Sequence, residues 1–277
     1  MIRELSWADY SALDAINPSL VSHGLRSMRH MLYAKENPTP PTRDMILGTV
    51  AHSMVFEPLR YIQTVRVFEG KQTKNTKATK AWKNFVAECQ AANVIPLELD
   101  ELAEVQEWAD AVADTPHCAA MVGMKGITEA CLTWTDETGL ACKSRLDRYI
   151  PDGNVVLEFK TARDGSPDGV VRATRDYGWD IAAAMRIDGI TKAIGKRPEY
   201  WWIVVEKEPP YVVTPYRCDE GMEALGRAKY RPVLEKWAAC VKSGRFPGYA
   251  DKGGLVLSPA TWELMKFEVE YTNGGES

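Results

Sequence analysis

Apolar residues follow helical spacing in the first part of the chain and strand spacing from Ile127 onward. Asn17-Pro18-Ser19 is a helix start, because Asn accepts the first free amides and Pro at the first helical position has no amide to leave unpaired. Pro38 to Thr42 (PTPPT) reads as a rigid extended connection, and a helix then runs from about Arg43 through GTVAHSMVFEP (Gly48 to Pro58). Leu102, Val105, Trp108, Ala109 and Val112 recur at helical intervals in an acidic stretch and predict an amphipathic, solvated helix. After Ile127 come strand-like runs: ITEACLTW, a DETG turn, LACKSRLDRYI, a PDGN turn and VVLEFKT. A helix over about Tyr177 to Ile194, the strands EYWWIVVE and YVVTPYRC, and a long helix from Asp219 to about Ser243 complete the pattern. The alternation predicts a single α/β domain over 1–277, with a mostly helical part (1–126) and a sheet core (127–250).

The PDGN hairpin carries candidate chemistry. Asp152-Gly153 favours a two-residue type I′ turn, which makes opposed residue numbers sum to 305. Ile150 then faces Val155, Arg148 faces Leu157, Asp147 faces Glu158, Leu146 faces Phe159 and Arg145 faces Lys160. Leu146, Ile150, Val155, Leu157 and Phe159 share a core face, interrupted by Arg148, and Arg145, Asp147, Glu158 and Lys160 share the other. Like charges directly opposed on a sheet repel, so Asp147 against Glu158 needs a cause. Two readings fit. In one, Arg145 and Lys160 neutralise the carboxylates as a surface lattice; in the other, a divalent cation bridges them and Lys160 sits beside it to orient or deprotonate a water.

Composition adds a complication and several exclusions. The chain has 277 residues, 45% hydrophobic and 26% charged, a globular profile that excludes disordered and low-complexity classes. Its formal net charge of -4 at first disfavours nucleic acid. The total, however, averages a basic block (Lys71, Lys74, Lys77, Lys80, Lys83) with an acidic stretch from Glu98 to Asp114. The lysines read equally as a solvated segment or as phosphate contacts. MIRELSWADY has no signal-peptide pattern, and the longest apolar run, Trp201 to Val205, is too short to cross a bilayer, so a cytoplasmic protein with no membrane partner is expected. The six cysteines show neither C-x-x-C nor zinc spacing.

Asp147, ten residues, then Glu158-Phe159-Lys160 resembles the D-(x)n-E-x-K signature of the PD-(D/E)XK nuclease superfamily. GTVAHSMVFEP is similar to the G-T-x-x-H-x-x-x-x-E-P helix of RecE/exonuclease VIII-like phage recombination nucleases, and the order of the NPSLVSHGLRS, TPPTRDMILGT, lysine and hairpin segments agrees over roughly Ile16 to Gly248. The resemblance implies a restriction-endonuclease-like core, a mixed sheet flanked by helices, with a helical N-terminal elaboration. It implies His52, Asp147, Glu158 and the Phe159 carbonyl as metal ligands or near-ligands, and Lys160 as the catalytic lysine. Mg²⁺, with Mn²⁺ as substitute, is the implied cofactor.

The implied activity is 5′-to-3′ digestion of linear double-stranded DNA ends, by a homo-oligomeric ring working with a single-strand annealing protein. Lys74, Lys77, Lys80, Arg145 and Arg186 are the candidate nucleic-acid contacts. The chain departs from related RecB-type nucleases where they carry Q-x-x-x-Y: Ala182 and Arg186 stand there, leaving Arg186 either a replacement phosphate contact or a surface residue. Glu129 is a secondary candidate outside the expected core set: an even register pairs it with Leu146 and points it to the core side, whereas one bulge residue would turn it toward Asp147, and Glu57 is a candidate support for His52. Competing readings are a catalytically weak DNA-end-binding or scaffold protein, and an iron–sulfur nuclease of the Cas4 or AddB kind.

Overall fold

The computed structural model describes residues 1–71, 73, 75–250 and 253–272. Before Ile127 the chain is mainly helical: α1 (Trp7–Ala12), α2 (Pro18–Gly24), α3 (Met28–Glu36), α4 (Arg43–Phe56), α5 (Pro58–Thr64), α6 (Lys80–Ala91), α7 (Leu99–Asp114) and α8 (Pro116–Gly123). Side-chain oxygens of Ser6, Asn17, Ser27 and Thr42 accept amides in the first turns of the first four, which fixes where each begins. Three short strands lie between them: β1 (Ile2–Arg3), β2 (Val65–Val67) and β3 (Ile95–Leu97), the last two forming a small parallel pair. No apolar alternation announces strands this short.

From Ile127 the order is β4 (Ile127–Thr135), β5 (Ala141–Ile150), β6 (Val155–Ala162), α9 (Pro167–Tyr177), α10 (Trp179–Ile194), β7 (Glu199–Glu206), β8 (Val213–Arg217), α11 (Glu220–Ser243) and α12 (Thr261–Thr272). The expected helix over Tyr177 to Ile194 is in fact the end of α9 plus α10, separated by Gly178 in the left-handed region (φ 68). Six strands form one sheet in the order β1-β4-β5-β6-β7-β8. Only β6 and β7 run parallel, joined by the α9–α10 crossover, and every other neighbour is antiparallel. The mixed sheet flanked by helices is therefore as expected.

Both faces of the sheet are covered. Leu47, Val50 and Ala51 of α4, with Val105, Trp108 and Val112 of α7, pack on Ile150, Leu157, Phe159 and Ile203. On the opposite face Ala183, Ile187 and Ile190 of α10 pack on Leu132, Leu146, Val156, Tyr200 and Val204. A further layer of α2, α3 and α11 buries Val21, Met31, Leu234 and Trp237 against α10. There Gly226 of α11 crosses α10 so closely that a Cβ would lie 2.1 Å from the Asp180 carbonyl oxygen, so only glycine fits.

The PDGN hairpin keeps the register summing to 305 for Ile150, Tyr149 and Arg148 against Val155, Val156 and Leu157. Its turn is not type I′, however: the left-handed residue is Asn154 (φ 51), whose amide donates to the Pro151 carbonyl, while Asp152 and Gly153 keep ordinary φ. The single-core-face expectation also fails at Leu146, which lies on the α10 face while Ile150 and Leu157 lie on the α4 face. Alternation is interrupted at Asp147, and that interruption builds the site.

Candidate functional site

One pair drops out of the β4–β5 ladder while the register on either side is kept. On β4 and β5, pairs sum to 276 on either side (Thr128↔Arg148, Ala130↔Leu146), which sets Glu129 opposite Asp147 with neither in the ladder. Glu129 is left-handed (φ 55), unusual for a residue with a side chain, although the unchanged register shows that no residue is inserted there. The register differs from the even one expected because the connection from Asp136 to Leu140 is five residues long, held by the Asp136 carboxylate accepting the Thr138 and Leu140 amides. Glu129, set aside on sequence grounds, is thereby turned toward Asp147.

On the other side, β5 and β6 stop pairing beyond Arg148↔Leu157 and side chains replace the ladder. The Asp147 amide donates to Glu158 Oε1 (3.2 Å), and the Phe159 amide donates to Asp147 Oδ2 (2.9 Å). This fork lets groups from both faces of the sheet reach one place. From α4, His52 directs Nε2 to 3.5 Å from Glu129 Oε1 and 4.0 Å from Asp147 Oδ1. From α10, Arg186 Nη1 lies 2.6 Å from Glu158 Oε2, and Lys160 Nζ lies 3.0 Å from the same oxygen. Glu158 is completely buried, so its charge depends on these two cations.

Burial pushes the Asp147 carboxyl up, but Lys160, His52 and Arg186 outweigh it and hold it below the ordinary carboxylate range. Burial raises Glu129, with His52 and Arg145 opposing and Asp147 and Glu57 adding to the rise. Two neighbouring carboxyls are thus driven apart, one toward the charged form and one toward the protonated form. Among the described residues the buried His52 Nε2 has no hydrogen-bond partner, an expensive state for a ring nitrogen unless it serves a ligand. His52, Glu57 and Glu129 offer atoms all within 4.8 Å of one another, with Asp147 adjoining. An imidazole nitrogen and carboxylate oxygens converging on an unpartnered position suit a divalent cation.

The sequence-predicted residues separate here. His52, Asp147, Glu158 and Lys160 are brought together. Phe159 buries its ring in the α4 face while its amide serves Asp147. Arg186 is neither surface residue nor free phosphate contact. It donates to Ser144 Oγ (2.8 Å), the Tyr200 hydroxyl (2.8 Å) and the Arg145 carbonyl (3.0 Å) besides pairing with Glu158, and those neighbours hold it charged above the ordinary range. Arg145 pairs with Glu129 and lies under the Trp7 ring. Lys77 pairs with Glu98 and Glu101 of the acidic stretch. Lys80 is exposed, and Lys74 lies outside the described residues. Glu57 joins the His52 group and also pairs with Arg60 (2.9 Å). Sequence reasoning held Glu129 only as a secondary candidate and missed Ser144 and Tyr200, because partners buried across the sheet leave no spacing signature.

Comparison with known proteins agrees with this architecture. A family described as "PDDEXK-like domain of unknown function (DUF3799)" matches residues 25–257. The fold overlaps that of a candidate exonuclease from Eubacterium rectale with a TM-score of 0.63 at 12% identity, covering 95% of this chain and 98% of that one. A phage-related exonuclease from Haemophilus somnus 129PT is 10% identical over 83% of this chain and 96% of its own, with a TM-score of 0.36, too loose to carry an argument. A stretch of 99 residues is 29% identical to an acylphosphatase of Arthrobacter sp. (strain FB24), 36% of this chain and 89% of that protein.

Proposed function

The chain belongs to the PDDEXK-like family DUF3799, and from that premise we propose a divalent-metal-dependent deoxyribonuclease that digests linear double-stranded DNA from its ends, in the 5′-to-3′ direction. The observation that carries this reading is the unpartnered His52 Nε2 facing Glu129 and Asp147, with the Glu158–Lys160 pair across the fork. His52, Glu129 and Asp147, with Glu57 and the Phe159 carbonyl in reach of the family pattern, would hold the cation, with Mg²⁺ its natural identity and Mn²⁺ a substitute. When bound, the ion supplies Lewis-acid stabilisation of the phosphate charge and a more acidic water.

The rest is done by the chain itself. Lys160 Nζ is a three-proton donor beside the Glu158 carboxylate, placed to orient the attacking water or a phosphate oxygen. Arg186 pairs with Glu158 and pins it from the α10 side. Asp147, held ionised, is suited to ligation and to accepting a hydrogen bond from the attacking water. A ring-shaped homo-oligomer and an annealing protein remain the proposed partners, as the phage-type resemblance implies. The six cysteines are all buried, and they are distributed among separate cores, Cys118 in one, Cys218 in a second and Cys142 with Cys240 in a third, which does not favour the iron–sulfur alternative.

End-labelled linear duplex beside a covalently closed circle, each with and without Mg²⁺, tests the proposal. Digestion of the linear form alone, with loss of about 10²-fold or more in Asp147→Ala and Lys160→Ala, is the expected result. DNA-end binding with no metal-dependent product would leave the scaffold reading instead.

A further inference from the structure

One exposed aromatic stands next to the fork without a role in it. Trp7, on the first residue of α1, keeps 63% of its surface in solvent. The Arg145 guanidinium lies 5.2 Å from the ring centroid, and Arg145 pairs in turn with Glu129, which faces His52. One side chain, Arg145, therefore separates the indole from Glu129, a proposed metal ligand. The neighbouring groups also fix it in place. Lys143 Nζ, buried in the sheet, donates to the carbonyls of Tyr10 (2.9 Å) and Leu13 (2.7 Å), clamping the end of α1 to β5. The Tyr10 ring lies 5.8 Å from the indole and is itself buried. Ser6 caps the helix by accepting the Asp9 amide (3.0 Å).

We propose that Trp7 is a substrate-positioning platform that stacks on the terminal nucleobase of the DNA strand entering the fork. An indole offers a π-face to any base without reading its identity, which suits an enzyme that degrades whatever sequence follows. The Arg145 cation on one side of the ring orders it before substrate arrives, so little freedom is lost on stacking. Arg145 thereby acts as a tether joining the platform to Glu129, in place of the direct phosphate contact expected from sequence. The inference rests on the deoxyribonuclease reading, deepening it by naming what holds the strand end.

The test compares wild type, Trp7→Ala and Trp7→Phe on blunt linear duplex. Trp7→Ala is expected to raise KM about tenfold with kcat changed less than about twofold, Trp7→Phe to recover most of the loss, and all three to melt at the same temperature. A second readout uses duplex carrying 2-aminopurine at the terminal nucleotide or ten pairs inside, titrated with protein in Ca²⁺. Wild type should alter emission at the terminal position alone, and Trp7→Ala should not. Digestion by wild type with unchanged KM and emission in Trp7→Ala would overturn the platform and leave the nuclease. A terminal, Trp7-dependent signal without Mg²⁺-dependent digestion would overturn the nuclease and leave the platform.

Discussion

Two of the clusters of opposed charge look alike in composition and differ in what they leave unpaired. At the start of α7, Glu101 accepts from Arg43 Nε (2.7 Å), from Lys77 Nζ (2.7 Å) and from the Glu98 amide (2.9 Å). Burial pushes its carboxyl up, but those donors bring it down to about 2. Every lone pair is used, and the cluster is a fastener joining α4, α7 and the lysine segment. At the fork, by contrast, His52 Nε2 has no hydrogen-bond partner among the described residues, Glu129 is raised, and one fully buried carboxylate depends on a cation from each of two elements. Saturation distinguishes a structural network from a binding site, and neither residue type nor net charge reports it.

The largest expected effect breaks that contrast at its most buried point. Arg186→Met leaves the fully buried Glu158 with Lys160 as its remaining cation beside the Asp147 amide, and about 3–5 kcal/mol of stability should be lost, read by denaturant unfolding. Arg43→Met should cost far less, because Glu101 keeps Lys77 and the Glu98 amide and Arg43 is itself part-exposed. Equal losses would make the two clusters energetically the same. Next in size is Glu101→Gln, with at most about 3 kcal/mol lost at pH 7, from a carboxyl held near 2 against an ordinary 4.5. Because the folded value is depressed, this stability is present above the unfolded pKa and lost as pH falls toward 2. The gap between wild type and Glu101→Gln should therefore narrow by roughly 1 kcal/mol between pH 7 and pH 4, and a constant gap would contradict the saturated network.

Much of this was readable in the sequence where the signal is local. Asn17, Thr42 and Asp219 cap α2, α4 and α11, and the E-x-K strand and the His52 helix fall within a residue or two of where periodicity put them. Loop geometry was less legible. The five-residue connection between β4 and β5 shifts the register by one, and that single residue turns Glu129 from a bystander into a neighbour of His52. Arg186 was misplaced for a different reason: its partners Ser144, Tyr200 and Glu158 come from three strands, and no spacing on α10 reports a contact across the sheet. The basic block and the acidic stretch that the net charge averages meet in space at Lys77.

A third effect concerns the unsaturated cluster alone. Mg²⁺ or Mn²⁺ at about a hundred times its dissociation constant should stabilise the fold by about 2.7 kcal/mol, a rise of roughly 5–10 °C in melting temperature. His52→Ala and Glu129→Gln should abolish the shift while Glu101→Gln retains it. A shift that survives loss of His52 would move the cation elsewhere.

The smallest effect tests whether the lysine segment has anything left for DNA once the acidic helix has taken its share. Lys77 is committed to Glu98 (3.0 Å) and Glu101 (2.7 Å), and these partners raise its pKa against the opposing pull of burial. Lys80, exposed in the first turn of α6, makes no ion pair among the described residues. A lysine that neutralises a phosphate releases a counterion and contributes about 0.9 to the slope of log affinity against log salt, whereas one already neutralised by carboxylates releases none. Lys80→Ala should therefore flatten the salt dependence of duplex binding by about one unit, and Lys77→Ala should leave it unchanged. The reverse result would mean that DNA displaces Glu98 and Glu101 from Lys77, making the α7 cluster a latch that substrate opens.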